Sequence, residues 1–295
     1  MTQEIFLPPR NFAGLSKEYT DPSTSRIIIL PVPYDSTSEW RSGSRDGPQA
    51  IIDASQYLEL YDPELDYEPY RSGIHTLPLV APVMSGPEQM IQQIYNIALQ
   101  LIRKPRVLAM FGGEHSVTLG MVKAFVEHTL GLSVLQLDAH ADLRNEYQGT
   151  RYSHACVMRR VVELCPIVQV GIRSFSLEEQ RFLEANGMQP FSNIPQPFDL
   201  SNIERIVAAL SDEVYVTIDL DVFDPSVMPS VGTPEPGGMN WFEVVRILSE
   251  VARQRKIIGF DIVELCPSAG TNSCSYLAAK LAYKIISYVN APMSV

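Results

Sequence analysis

The chain has 295 residues, with 34 acidic against 23 basic side chains and a formal net charge of −11. That balance disfavours nucleic acid and anionic membrane as partners and mildly favours a cationic ligand. No run of 18 apolar residues occurs, Met1 to Gly14 shows no basic segment leading into an apolar one, and the four cysteines form no CxxC pair, so the expectation is a cytoplasmic chain with reduced thiols.

Nothing in composition separates two halves, so residues 26–295 read as a single domain behind an N-terminal extension of residues 1–25. Short apolar runs predict strands at 27–30, 107–111, 134–137, 167–170, 214–218 and 257–260. Longer amphipathic stretches between them predict helices at 86–102, 117–128, 176–185, 201–210, 240–253 and 275–288. Ser176, Ser201 and Asn240, each followed by a glutamate, fit N-terminal caps. Proline and glycine cluster at 31–33, 229–238 and 267–270, which read as loops leaving strands. Alternation of near-continuous apolar strands with helices predicts an α/β fold whose parallel sheet is covered on both faces.

Four of these strands run directly into polar residues. Phe111 is followed by Gly112-Gly113-Glu114-His115-Ser116, Leu137 by Asp138-Ala139-His140-Ala141-Asp142, Ile218 by Asp219-Leu220-Asp221, and Phe260 by Asp261-Ile262-Val263-Glu264. In a parallel sheet all carboxyl ends lie along one edge, and ligand crevices form there, so the four segments are expected to converge. His115, Asp138, His140, Asp142, Asp219 and Asp221 then bring four carboxylates and two imidazoles together. Crowded carboxylates repel one another unless positive charge sits among them, and divalent ions supply it. A donor set of oxygen with a minority of imidazole suits Mn²⁺ or a similar ion better than a thiolate-binding one. Each motif alone is most often a turn or a cap; three of them at strand ends are not.

Gly112-Gly113-Glu114-His115-Ser116, Asp138-Ala139-His140-Ala141-Asp142 and Asp219-Leu220-Asp221-Val222-Phe223-Asp224-Pro225 resemble the three signatures of the ureohydrolase family, which includes arginases, agmatinases and formimidoylglutamases. Gly232-Thr233-Pro234-Glu235-Pro236-Gly237-Gly238 and Gly259-Phe260-Asp261-Ile262-Val263-Glu264 match as well, so the resemblance runs from about residue 26 to residue 288. It implies a three-layer α/β/α sandwich around a roughly eight-stranded parallel sheet, two manganese ions per subunit, and hydrolysis of a guanidino group to urea and an amine. By resemblance, His115 and Asp142 complete one metal site, His140 and Asp221 the other, and Asp138 and Asp219 bridge them. A hydroxide shared by both metals, touched by Asp142, is the implied nucleophile. Glu264 would orient the guanidinium through paired N–H bonds, and His154 would shuttle a proton. His75 and His128 match no motif. Related enzymes form trimers and hexamers, which implies a homo-oligomer.

The substrate is legible only in part. The loop 143–152 lacks the Ser/Thr-Asn cluster that arginases use for an α-amino acid head, and 233–238 looks more like agmatinases. Residues 42–48 and 57–62 are similar to short prokaryotic agmatinases, some of which prefer N1-aminopropylagmatine. The expected partner is therefore a small cationic guanidino compound: agmatine giving putrescine, or N1-aminopropylagmatine giving spermidine, either one a step of polyamine biosynthesis. Guanidinobutyrate, guanidine, arginine and formimidoylglutamate remain as alternatives, as does a catalytically silent homologue that binds metal or polyamine. A two-metal phosphoesterase would want lysine or arginine among the strand-end motifs, which offer none. The acidic, tyrosine-rich run 57–70 would either meet a distal ammonium or form a solvated loop or subunit contact. Where many relatives read Pro-Gly-Thr-Gly-Thr-Pro, Pro229-Ser230-Val231-Gly232-Thr233-Pro234 lacks one glycine and carries Val231 near the expected pocket.

Overall fold

The apolar runs assemble into one wholly parallel sheet. The computed structural model describes residues 9–103, 106–192, 194, 197–269 and 271–291; residues 1–8 of the expected extension and Gly270 of an expected loop lie outside them. The strands are β1 (Ile27–Val32), β2 (Ile74–Thr76), β3 (Val107–Gly112), β4 (Ser133–Leu137), β5 (Ile167–Val170), β6 (Glu213–Asp219) and β7 (Lys256–Val263). Their order across the sheet is β2-β1-β3-β7-β6-β4-β5. Seven strands are described where roughly eight were expected. β2 escaped the sequence reading because three residues at a sheet edge carry no periodicity.

Among the described residues eight α-helices cover the sheet: α1 (Gly47–Ser55), α2 (Pro87–Leu101), α3 (Thr118–His128), α4 (Val157–Val161), α5 (Leu177–Ala185), α6 (Ile203–Ala209), α7 (Trp241–Gln254) and α8 (Asn272–Asn290). One face buries Phe12, Ile51, Ile206, Leu248 and Ile285 from the N-terminal segment, α1, α6, α7 and α8; the other buries Ile94, Val122, Met158 and Leu183 from α2 to α5. Both faces of every central strand are therefore dry, which is why those strands read as continuous apolar runs. α1 and α4 were not expected: α4 has only five residues, and α1 opens on Gly47-Pro48, a pair that reads as a turn.

The caps at Ser176 and Asn240 form complete capping boxes with Glu179 and Glu243. Ser201 is not a cap. It lies inside a 3-10 turn whose own cap is Asp199. Pro31 belongs to β1, paired with Phe111, and not to a loop. No described helix is long and apolar enough to cross a membrane.

Candidate metal centre

Strand order decides which ends meet. β3, β7, β6 and β4 are consecutive neighbours, so Gly112, Val263, Asp219 and Leu137 end side by side. Gly113 makes the close crossing possible. A Cβ there would sit 2.0 Å from the Tyr34 carbonyl oxygen, and its own carbonyl accepts the Glu264 N–H at 2.8 Å. Asp142 and Glu264 both occupy the left-handed backbone region, with φ of 54° and 65°. For non-glycine residues that is a strained conformation costing about 1–3 kcal/mol, retained where surrounding structure over-determines it.

The six expected ligands do come together. His115, Asp138 and Asp219 form one cluster of possible donors and Asp138, His140 and Asp221 a second, so Asp138 belongs to both. His115 Nδ1 lies 3.1 Å from Asp138, 3.1 Å from Asp142 and 3.4 Å from Asp219, while His140 Nδ1 lies 2.8 Å from Asp221. Backbone amides hold the carboxylates in place: Asp138 accepts from His140 N–H at 2.6 Å, Asp221 from Ala139 N–H at 3.0 Å, and Asp219 from Asp221 N–H at 3.0 Å.

The donor set fits divalent ions. His115 Nδ1 is buried with three carboxylates around it and none in hydrogen-bond geometry. Behind the ring, His115 Nε2 lies 2.9 Å from the Thr217 hydroxyl, which donates to Asp261 at 2.6 Å. That hydroxyl has one hydrogen, so Nε2–H must be the donor toward Thr217, and the Nδ1 lone pair is left for a cation. Charge balance makes the same point. Burial, then Asp221 and Asp142, push the Asp138 carboxyl up to about 7. Burial opposes a charged His140, yet Asp221, Asp138 and Asp142 outweigh it and push the imidazole up to about 11. Divalent charge among these groups would relieve the same repulsion.

A cleft of about 240 Å³ opens above the cluster, lined at its floor by His115, His140, Asp142, Asp219 and Glu264 and on its walls by His154, Gly232 and Thr233. Glu264 is buried, and burial followed by the nearby Glu114 pushes it up to about 8. One of its oxygens accepts the His115 N–H at 2.7 Å. At the mouth stand Glu39, Trp40, Arg41, Arg144, Tyr147 and Phe175. Val231 is not there. It is 1 % exposed and packs in the core beside Leu265. The run 57–70 is not there either; it straps onto α8.

Sequence reasoning missed two supporting residues. The buried Arg173 guanidinium donates to the carbonyls of Asp221, Phe223 and Glu235, at 2.7, 3.4 and 2.6 Å, and so ties the Asp219-Leu220-Asp221 segment to the 233–238 loop. Its one visible signal was its place just after β5, on the same sheet edge. Thr37 joins His154 to Glu114 and gave no signal, because its partners lie 117 and 77 residues away.

The four cysteines are free and buried. A model of the arginase family matches residues 25–287. The N(1)-aminopropylagmatine ureohydrolase of Synechocystis sp. is 34% identical over 289 residues, covering 95% of this chain and 94% of that protein. The protein of the same name from Thermus thermophilus is 40% identical over 263 residues, with 89% of each chain covered. The solved structure of the agmatine ureohydrolase of Thermoplasma volcanium superposes with a TM-score of 0.85 at 30% identity, covering 97% of this chain and 95% of that one.

Proposed function

The chain belongs to the arginase family and is a hydrolase of guanidino groups; from that premise we propose that it converts N1-aminopropylagmatine or agmatine to urea and an amine, using two manganese ions per chain. The observation that carries the reading is Asp138, shared by two donor clusters at the floor of a cleft that also contains Glu264 and His154. His115, Asp138, His140, Asp142, Asp219 and Asp221 would hold the ions. When bound, such a pair neutralises the carboxylates and supplies a water activated at neutral pH.

The residues of the chain do the rest. The free oxygen of Glu264 would take an N–H of the planar guanidinium and orient its carbon in the cleft. Water oxygen bonds to that carbon, the bond from carbon to the substituted nitrogen breaks, and both water protons end on the leaving amine. Asp142 and His154, which line the cleft, would carry them. At the mouth, the Glu39 carboxylate and the Phe175 ring suit an ammonium tail.

Arg41 and Arg144 at the same mouth favour a second reading, a carboxylate-tailed guanidine such as guanidinobutyrate, though each stacks on its own aromatic ring, Trp40 and Tyr147. Urea release by the purified, Mn²⁺-loaded protein should be compared for N1-aminopropylagmatine, agmatine, guanidinobutyrate, guanidine and arginine. Highest kcat/KM for one of the first two supports the assignment; no urea from any of them overturns it.

A further inference from the structure

His154 is gripped from behind by a residue distant in sequence. Its backbone N–H donates to Thr37 Oγ1 at 3.1 Å, and its Nδ1 lies 3.0 Å from the same oxygen. The Thr37 hydroxyl and backbone N–H both donate to the Glu114 carboxylate, at 2.9 and 2.6 Å. Glu114 is fully buried, and the Ser116 hydroxyl is its third donor. On its other side the imidazole meets the Tyr147 ring edge-on, with centroids 6.3 Å apart. These contacts fix both the plane and the position of a half-buried ring on the cleft wall.

They also fix its protons. A threonine hydroxyl has one hydrogen and two lone pairs. The hydrogen is committed to Glu114, so the lone pairs are what Thr37 offers to His154, and Nδ1 must arrive as N–H. Nε2 is then the basic nitrogen of the neutral ring. We propose that Thr37 is a positioning residue which, anchored on Glu114, holds His154 as the Nδ1–H tautomer and so leaves Nε2 free to accept and return a proton in the cleft. This rests on the reading of His154 as the carrier of a proton to the leaving amine. Nothing in the strand-end motifs contains Thr37.

The test is a double-mutant cycle with Thr37→Val, Thr37→Ser and His154→Asn, read as urea release from whichever substrate the panel above selects. The backbone N–H of residue 37 still reaches Glu114 in every variant, so the loop keeps half its anchor. Thr37→Val should lower kcat about 10- to 100-fold, a part of the roughly 10²- to 10⁴-fold that general acid–base catalysis contributes, with KM and bound Mn²⁺ per chain unchanged. Thr37→Ser, which keeps the hydroxyl, should restore most of kcat. In the His154→Asn background, Thr37→Val should cost nothing further, because the group it positions is gone. Equal losses from Thr37→Val in both backgrounds, no rescue by serine, or a loss confined to KM or to metal content would each overturn the proposal. If His154→Asn alone turns over normally, it is the reading of His154 that fails, and the proposal with it.

Discussion

Buried Asp62, beside α8, and the four buried aspartates at the strand edge are neutralised differently, and that difference separates scaffold from site. On α8, Lys284 Nζ lies 2.8 and 2.9 Å from the two oxygens of Asp62 and 2.7 Å from Glu64, with Tyr288 donating to Glu64 and Tyr67 to the Ser287 carbonyl. Burial alone would raise the Asp62 carboxyl, but the hydrogen bond and charge of Lys284 bring it below the ordinary range. At the strand edge Asp138, Asp142, Asp219 and Asp221 ion-pair only with His115 and His140 among the described residues. There burial and the neighbouring acids raise Asp138 and Asp219. A buried acidic group that carries its own lysine is complete; one that does not must take its cations from outside.

Breaking each side in turn sharpens that contrast. Asp138→Asn removes the carboxylate common to both clusters, and should abolish tight Mn²⁺ binding and lower turnover by about a thousandfold or more. Metal content by elemental analysis and urea release check both at once, and normal turnover would refute a shared two-metal site. Lys284→Ala leaves Asp62 buried without its partner, and should destabilise the fold by about 3 kcal/mol in denaturant unfolding, while kcat per folded chain stays unchanged. A large change in KM or kcat would instead return the 57–70 run to the substrate path.

The smallest effect concerns protons at the metal centre. His140 is pushed up to about 11 and Asp138 up to about 7, so both hold protons at pH 6 that a divalent ion must displace. Metal binding should therefore release protons and tighten as pH rises, by up to about tenfold per pH unit for each proton released. Calorimetry of Mn²⁺ binding in two buffers of different ionisation enthalpy counts them. Affinity independent of pH from 6 to 8 would contradict the charge balance described for this edge.

Much of the candidate metal centre was readable in the chain because each of its motifs is local. A strand fixes side chains two apart on one face, and the parallel sheet puts every motif at one edge, so Asp138, His140, Asp219 and Asp221 could be placed together without coordinates. The strand and helix positions followed from apolar runs long enough to show a period. β2 and α4 were too short to do so, and α1 opens on the turn-like pair Gly47-Pro48.

What only the tertiary structure decided is whatever depends on pairs far apart in sequence. Arg173 bracing the Asp221 segment from just beyond β5 and Lys284 claiming the 57–70 run for α8 are both long-range contacts. So is Thr37 behind His154. Local pattern carries which residue types reach an edge, since backbone geometry imposes it within a few residues. Which of them touch is settled by packing, where a single threonine or arginine leaves no periodic trace in the sequence.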